Sequence, residues 1–515
     1  MLWLIAKKDF LLNLLSVRFV IGFLLCFVII PFTVIVSVDN YLSQVRVYKV
    51  EQERAEKEYK EVRVWSVLRP SVIHEPAALS IFSNGISNNL GNKTQILLSQ
   101  YPIFPTGHVI TRDNPLLNAF FSIDFSKVIA ILISLIALVF SYDAITRERE
   151  DGTMKLTLTG KVSRITLLFG KMTGLLLTLL PIVLFCYMLA CLIVMVNPDV
   201  SLSASDWNGI LLLFLTSIIY MLVFILIGML ISSLTSRSST SIILSLLSWI
   251  WFLFLLPNIS TYLSQSIVKT PLYDNVQIAL GEFDKAFGKD YEEANKRTWD
   301  EIKLKSLSHW NFSGGNDGTK EMSGTIKDVA LYHQRMSGWE SPVRMDYADK
   351  KWAVQRHYLD ELVRQQQCQQ RIAWLSPSEL FRQANDALCR TDLHSFLKYM
   401  ESVRNYRESF FRYYTDKNLF ESVTYFTAEP FETLISQEEV DAMGQDKYWQ
   451  LMREKGMNNV IFPYLNTDDV PRYVSQPVTL ATVLDAAIGR LTALLALMVA
   501  LLIATIAAFM KYDVR

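Results

Sequence analysis

The residues most able to do chemistry in this 515-residue chain are not spaced for it. Its histidines stand at His74, His108, His309, His333, His357 and His394, none beside a second ligand at metal-site spacing. The chain has neither the H-E-x-x-H pair of a zinc hydrolase nor the G-x-S-x-G turn that exposes a serine nucleophile. "GGNDGTK", from Gly314 to Lys320, lacks the G-x-x-x-x-G-K-[ST] interval that lets a loop cradle phosphates, and it reads as a turn in a flexible loop from Asn311 to Gly324. Cys26, Cys186 and Cys191 lie in apolar runs and behave as small apolar residues. Cys368 and Cys389 could form a disulfide, although mirror pairing about the helix start between them would set Cys368 nearer residue 384. No nucleic-acid patch and no internal repeat is present. The sequence therefore predicts neither an active site, nor a metal site, nor a cofactor of its own.

One polar stretch stands out instead. "AITREREDGTMKLTLTGKVSR", Ala144 to Arg164, sets charges of mixed sign, Arg147, Glu148, Arg149, Glu150 and Asp151 with Lys155 and Lys161 ahead of its final Arg164, between two of the most apolar parts of the chain.

The elements that must position that stretch follow from composition. At 51% hydrophobic and 19% charged, the chain is too apolar for an ordinary soluble domain. A hydrocarbon core of about 30 Å is crossed by roughly 20 helical residues. Six runs answer: 19–38, 125–144, 165–196, 210–231, 239–258 and 491–510, with Lys127 of the second read as a snorkelling side chain. The first could be a signal peptide behind Lys7 and Lys8, but its apolar core is too long and no small-x-small cleavage site precedes Asp39. Residues 1–18 carry Asp9, Asn13 and Ser16 opposite Leu11, Leu12 and Leu15, the pattern of a helix lying in the membrane interface or of a simple extension of the first span. Lys171 and Arg490 fall near opposite membrane faces and are expected to snorkel. No ionisable residue stands in the middle of a span, which argues against a proton-driven carrier.

Orientation follows from Lys and Arg in short segments, which resist translocation. Lys7, Lys8, Arg18, the bases of 145–164, Arg237, Lys511 and Arg515 all fall on one side of a six-span chain. Both termini are then cytoplasmic, in a bacterial inner membrane, and 39–122 and 263–482 lie outside. Glu51 to Arg63 reads as a solvated stalk helix. In the larger segment Ser376, Pro377 and Glu379 make a helix start with a capping box. Phe396, Met400, Val403, Tyr406 and Phe410 form an apolar stripe, with Lys398, Glu401, Arg404 and Glu408 toward water. The fold class is an all-α integral membrane protein with a helical outer domain.

The segment "DAITREREDGTMKLTLTGKVSRITLLFGKMTG" resembles the part after the second span of ABC-2-type permeases, the membrane subunits of ATP-binding-cassette exporters. The matching residues are Glu148, Arg149, Glu150, Gly152 and Thr153, then Val162, Ser163 and Arg164, then Gly170 and Lys171. "GMLISSLTSRSSTSIILSLLSWIW" and the terminal "FMKYDVR" extend the likeness. "LSPSELFRQANDAL" is similar to the large insertion of permeases of the gliding-motility and nitrous-oxide-reductase-maturation type. The resemblance implies a dimer with an identical or sister half and two separate ATPase subunits that bind ATP and magnesium. It also implies a coupling role for Arg147, Glu148, Arg149, Glu150, Asp151, Gly152 and Thr153. Mixed charges fix register against a partner, and Gly152 permits a bend. The function expected is export driven by the partner ATPase. Alternatives are a mechanotransmitting subunit that moves the outer domain, with a possible partner protein outside, and a membrane-anchored receptor or scaffold.

Overall fold

The computed structural model describes residues 1–87, 91–105, 124–154, 157, 162–305, 311–313, 321–323, 325–457, 463–475 and 480–511. Lys155, Lys161, His108, His309, Arg515 and most of the 311–324 loop lie outside the described residues. The helices in chain order are α1 Leu2–Leu14, α2 Val17–Lys60, α3 Phe125–Ser141, α4 Thr146–Glu150, α5 Arg164–Val196, α6 Ala204–Leu234, α7 Ser238–Ile250, α8 Leu256–Ile267, α9 Tyr273–Ile302, α10 Lys327–Ala373, α11 Pro377–Leu388, α12 Leu393–Asp416, α13 Gln437–Met443, α14 Gln445–Met457 and α15 Leu480–Met510. Among the described residues two short antiparallel strand pairs join Ser71–Ile73 with Lys93–Gln95 and Asn311–Ser313 with Glu321–Ser323.

Among the described residues six helical stretches are long and apolar enough to cross a membrane: Val17–Lys60, Phe125–Glu150, Arg164–Val196, Ala204–Leu234, Ser238–Ile267 and Ala481–Met510. Their starts are set by side chains that satisfy the free N–H groups of a first turn. The Asp124 carboxylate accepts from the Lys127 amide, the Ser163 hydroxyl from Thr166, and Ser203 and Asp206 form a reciprocal capping box. Helices α7 and α8 are one span joined by a π-turn at Trp251–Leu255. The predicted stalk is no separate element, because α2 runs without a break from the first span to Lys60.

Two apolar cores result. One joins the spans, with Ile30, Ile129, Val183, Tyr220 and Phe224 fully buried. The other closes the large domain around Trp65, Val72, Val403, Phe410, Tyr414 and Phe426. The stripe on α12 is buried from Met400 to Phe410, as its spacing predicts. Phe396, at its end, is only half-buried and stacks on Phe104. Arg404, expected in water, lies over Trp352 and donates to the Pro102 carbonyl.

The position of α11 corrects the sequence reading. Ser376 caps it and Pro377 opens it as predicted, but Glu379 grips Arg382 (Nη2 to Oε2 2.7 Å) rather than turning back to the cap. The helix does not join the large domain's core: it packs against α3, α6 and α15, and Phe381 stacks on Tyr220 at 4.4 Å. Its start is tied to the π-turn, where the Ser376 and Ser378 hydroxyls both donate to the Phe252 carbonyl. It ends in a left-handed Arg390 (φ 63°), where the Arg390 and Thr391 amides close onto Ala387 and Asp386. Asp206 holds that arginine at 2.8 Å. Cys368 and Cys389 are free thiols, so the possible disulfide is not formed. Cys389 is buried at the end of α11, an element placed among the spans rather than in the large domain with α10.

Candidate functional site: the charged end of the bundle

The site is built where the basic ends of the spans meet. Helix α1 lies along the lower part of α5, buries Ala6 against it, and leaves Leu2, Trp3, Leu4, Leu11 and Leu12 exposed with Lys7 and Lys8. This suits an interfacial helix, whose apolar side meets acyl chains and whose lysines meet headgroups. The close approach depends on Gly170, where a Cβ would stand 2.8 Å from the Ile5 side chain.

Beside Gly170 the structure overturns one expectation. Lys171 does not snorkel: it is buried, with Nζ 2.7 Å from Glu148 Oε1 and 3.8 Å from Asp9 Oδ2. A single ammonium therefore ties α1, α4 and α5 together. Arg490 does not snorkel either; it pairs with Asp392, the cap of α12, at 3.6 Å.

Helix α4 carries the charged motif, and three of its charges bond to neighbouring elements. Glu148 takes Lys171. Arg149 donates to the Thr235 carbonyl at 2.6 Å and to Ser233 at 3.2 Å, covering free carbonyls at the end of α6. Glu150 accepts from the Ser238 amide at 3.0 Å and from its hydroxyl, supplying the N-terminal cap that α7 lacks. The Ile145 and Thr146 amides both donate to the Ser232 hydroxyl at 3.0 Å.

Arg147 and Asp151 differ from the other three in their partners: both are exposed, as Glu150 is, but neither side chain makes an ion pair among the described residues. Thr153 is exposed and donates to the Glu148 carbonyl at 3.3 Å. Gly152 adopts φ 70°, the left-handed conformation expected of the bend after the motif. The sequence thus grouped seven residues that the fold divides: an inward set that binds three neighbouring elements, and an outward set that binds none of them.

Sequence reasoning missed two further members. Arg18 donates to Asp143 at 2.9 Å and to the Tyr142 hydroxyl at 2.9 Å, and Arg164 donates to the Met510 carbonyl at 2.8 Å, capping α15. Their signal is a base within a turn of each span's end, which by itself reads only as a mark of topology. Among the described residues no three His, Cys, Asp or Glu side chains group as a metal site. No nucleophile among them is paired with a base at this end of the bundle.

Six spanning helices braced by a charged collar define a multi-pass α-helical membrane protein. Residues 3–514 match the model of the ABC-2 family transporter proteins, and the chain belongs to that family. No curated protein gives a significant match to it.

Proposed function

We propose that the chain is the permease subunit of an ATP-binding-cassette exporter, set in a bacterial inner membrane with its basic end in the cytoplasm. The observation that carries this reading is the division of the α4 motif. Its inner face is bonded to α5, the end of α6 and α7, and through Lys171 to Asp9 of α1, while Arg147, Asp151, Gly152 and Thr153 are exposed. A force applied there reaches several spans through ion pairs and capped helix ends. ATP and magnesium belong to two partner ATPase subunits, and a second permease half, identical or a sister chain, completes the pathway. Membership of the family supports an ATPase partner. A second reading, mechanotransmission without transmembrane cargo, is supported by the separate apolar core of the large domain, which could be moved as a body.

The test exchanges the two outward charges. Arg147→Glu with Asp151→Lys leaves the count of basic residues unchanged, so membrane insertion should persist. Reversed charges on a complementary surface should weaken ATPase retention by tenfold or more, on the order of 1.4 kcal/mol or above. Co-purification of the ATPase at the wild-type level would refute the coupling role. Glu148 and Glu150 are unsuitable for this test because their replacement dismantles the collar itself.

A further inference from the structure

Two adjoining cavities lie at the end of the bundle opposite the charged collar, where the large domain stands over the spans. One, of about 520 Å³, has Asp206 from the first turn of α6 and Val483 and Ala486 from the first two turns of α15 in its floor, and the start of α12 in its wall. The other, of about 420 Å³, continues along α2 as far as Tyr59 and Lys60. They share Ile73, Glu75, Tyr473 and Ser475 and so form one cleft. Both volumes fall within the range of small-molecule sites, about 300–1,000 Å³.

Two phenols on α2 give the cleft its character. Tyr41 and Tyr48 stand two helical turns apart on one face, about 10 Å along the axis, and each lines one of the two chambers. Neither hydroxyl has a hydrogen-bond partner among the described residues, although only 7% of Tyr41 is exposed. Buried hydroxyls are nearly always bonded, so two left open on a cavity mark donors that something in the cavity must satisfy. Glu75, in the wall common to both chambers, is near enough for its charge to act on both phenols. Its carboxylate makes no ion pair among the described residues.

The rest of the lining narrows the ligand's class. Arg390 and Asp206 hold each other at 2.8 Å, which leaves Glu75 and Lys398, one of each sign, as the unpaired ions of the larger chamber among the described residues. A strongly anionic or cationic ligand finds no matching field there. Hydroxyl side chains make up the largest share of the surface, among them Ser201, Ser395, Ser402 and Ser475, so a hydrocarbon chain is not matched either. A peptide backbone is gripped along a strand edge, and the adjoining strand Ser71–Ile73 is too short to hold one. Aromatic faces beside a carboxylate and open hydroxyls suit a ring with apolar faces and a rim of hydroxyl groups, which describes a sugar.

We propose that this cleft binds a neutral glycan: Glu75 accepts hydrogen bonds from its hydroxyls, Tyr41 and Tyr48 donate to its oxygens, and the half-buried Tyr48 ring offers a stacking face. The floor of span ends sets the cleft at headgroup level, so the sugar belongs either to a lipid of that leaflet or to a soluble chain. The site lies at the far end of the spans from the α4 motif and goes beyond the coupling role.

The test is saturation-transfer difference NMR on the full-length protein in phosphatidylcholine nanodiscs, with maltotetraose, cellotetraose and chitotetraose as probes and tetraalanine for comparison. At least one saccharide should receive saturation from the protein, and tetraalanine none. Glu75→Gln should weaken the bound saccharide about tenfold and Tyr48→Phe about threefold, the sizes expected on losing a charge-assisted and a neutral hydrogen bond. Ser475→Trp, at an exposed position shared by the two chambers, should exclude the saccharide by bulk and keeps the test decisive if either other variant fails to fold. Diglucosyldiacylglycerol added to the discs should displace the saccharide if the natural ligand is a lipid headgroup and leave it bound if the ligand is soluble, each result supporting the site with a different source. Transfer to none of the saccharides, wild-type affinity in both Glu75→Gln and Ser475→Trp, or transfer to tetraalanine in their place would overturn the proposal. None of these readouts involves the ATPase, so the glycan site can fail while the coupling role stands, and the reverse.

Discussion

Lys171 Nζ lies 2.7 Å from Glu148 Oε1 and 3.8 Å from Asp9 Oδ2, so three elements far apart in sequence share one positive charge. Lys171→Met removes it and leaves two carboxylates facing each other in a largely buried place. Breaking a buried pair in this way costs about 3 to 5 kcal/mol. The expected result is a lower thermal unfolding midpoint for the purified protein, partly restored by adding Glu148→Gln. A midpoint equal to wild type would mean that the ammonium braces nothing.

The large domain depends on the α12 stripe, and its two ends should respond differently. Phe410 is 1% exposed, so Phe410→Ala should destabilise the domain by about 3 to 5 kcal/mol. Phe396→Ala at the half-buried end should cost much less. Limited proteolysis ranks them, and equal cleavage rates would contradict the burial pattern.

The spans and the capped helix starts were legible because their signals are local: a long apolar run needs no partner to be recognised, nor does Ser376-Pro377. The placement of α11 was not legible. An amphipathic helix has the same pattern whether its polar face meets water or, as here, Ser83, Ser126 and its own Arg382 among other helices. Lys171 is hidden for a related reason. Asp9 and Glu148 are 162 and 23 residues away from it, and a lysine near a span's end resembles an anchor until its partners are in place. The inward and outward halves of 147–151 were likewise indistinguishable, since Lys171 and the α6–α7 connection decide which charges are taken.

Acid should loosen the large domain through His74. Burial and the Arg390 charge push its pKa below the ordinary value of 6.5, and its ring meets Tyr399 edge-on at 4.3 Å. The folded state thus binds this proton less readily than the unfolded chain. Its contribution to stability is complete above about pH 6.5 and falls as the pH drops toward the folded pKa. Denaturant midpoints at pH 7.5 and 5.5 should converge in His74→Gln relative to wild type. An unchanged difference would assign the acid sensitivity to other groups.

Sidedness is open to direct measurement. A cysteine at Arg147 should react with an impermeant maleimide only after the membrane is opened, and one at Lys398 should react in intact cells stripped of their outer envelope. Both positions are exposed. Reaction of both from the same side would break the six-span topology.

Helix α2 contains one proline, Pro31, and from Phe32 to Lys60 neither proline nor glycine interrupts it. At its far end the Tyr59 hydroxyl meets that of Tyr406 at 2.9 Å, fastening the shaft to the large domain. Pro31 removes one backbone hydrogen bond and is the natural pivot. The rod above it is about 43 Å long, so a tilt of about 10° at the pivot sweeps its tip through about 7 Å. The geometry is that of a lever: any rocking of the first span about Pro31 would be multiplied into a displacement longer than a helical turn at Tyr59.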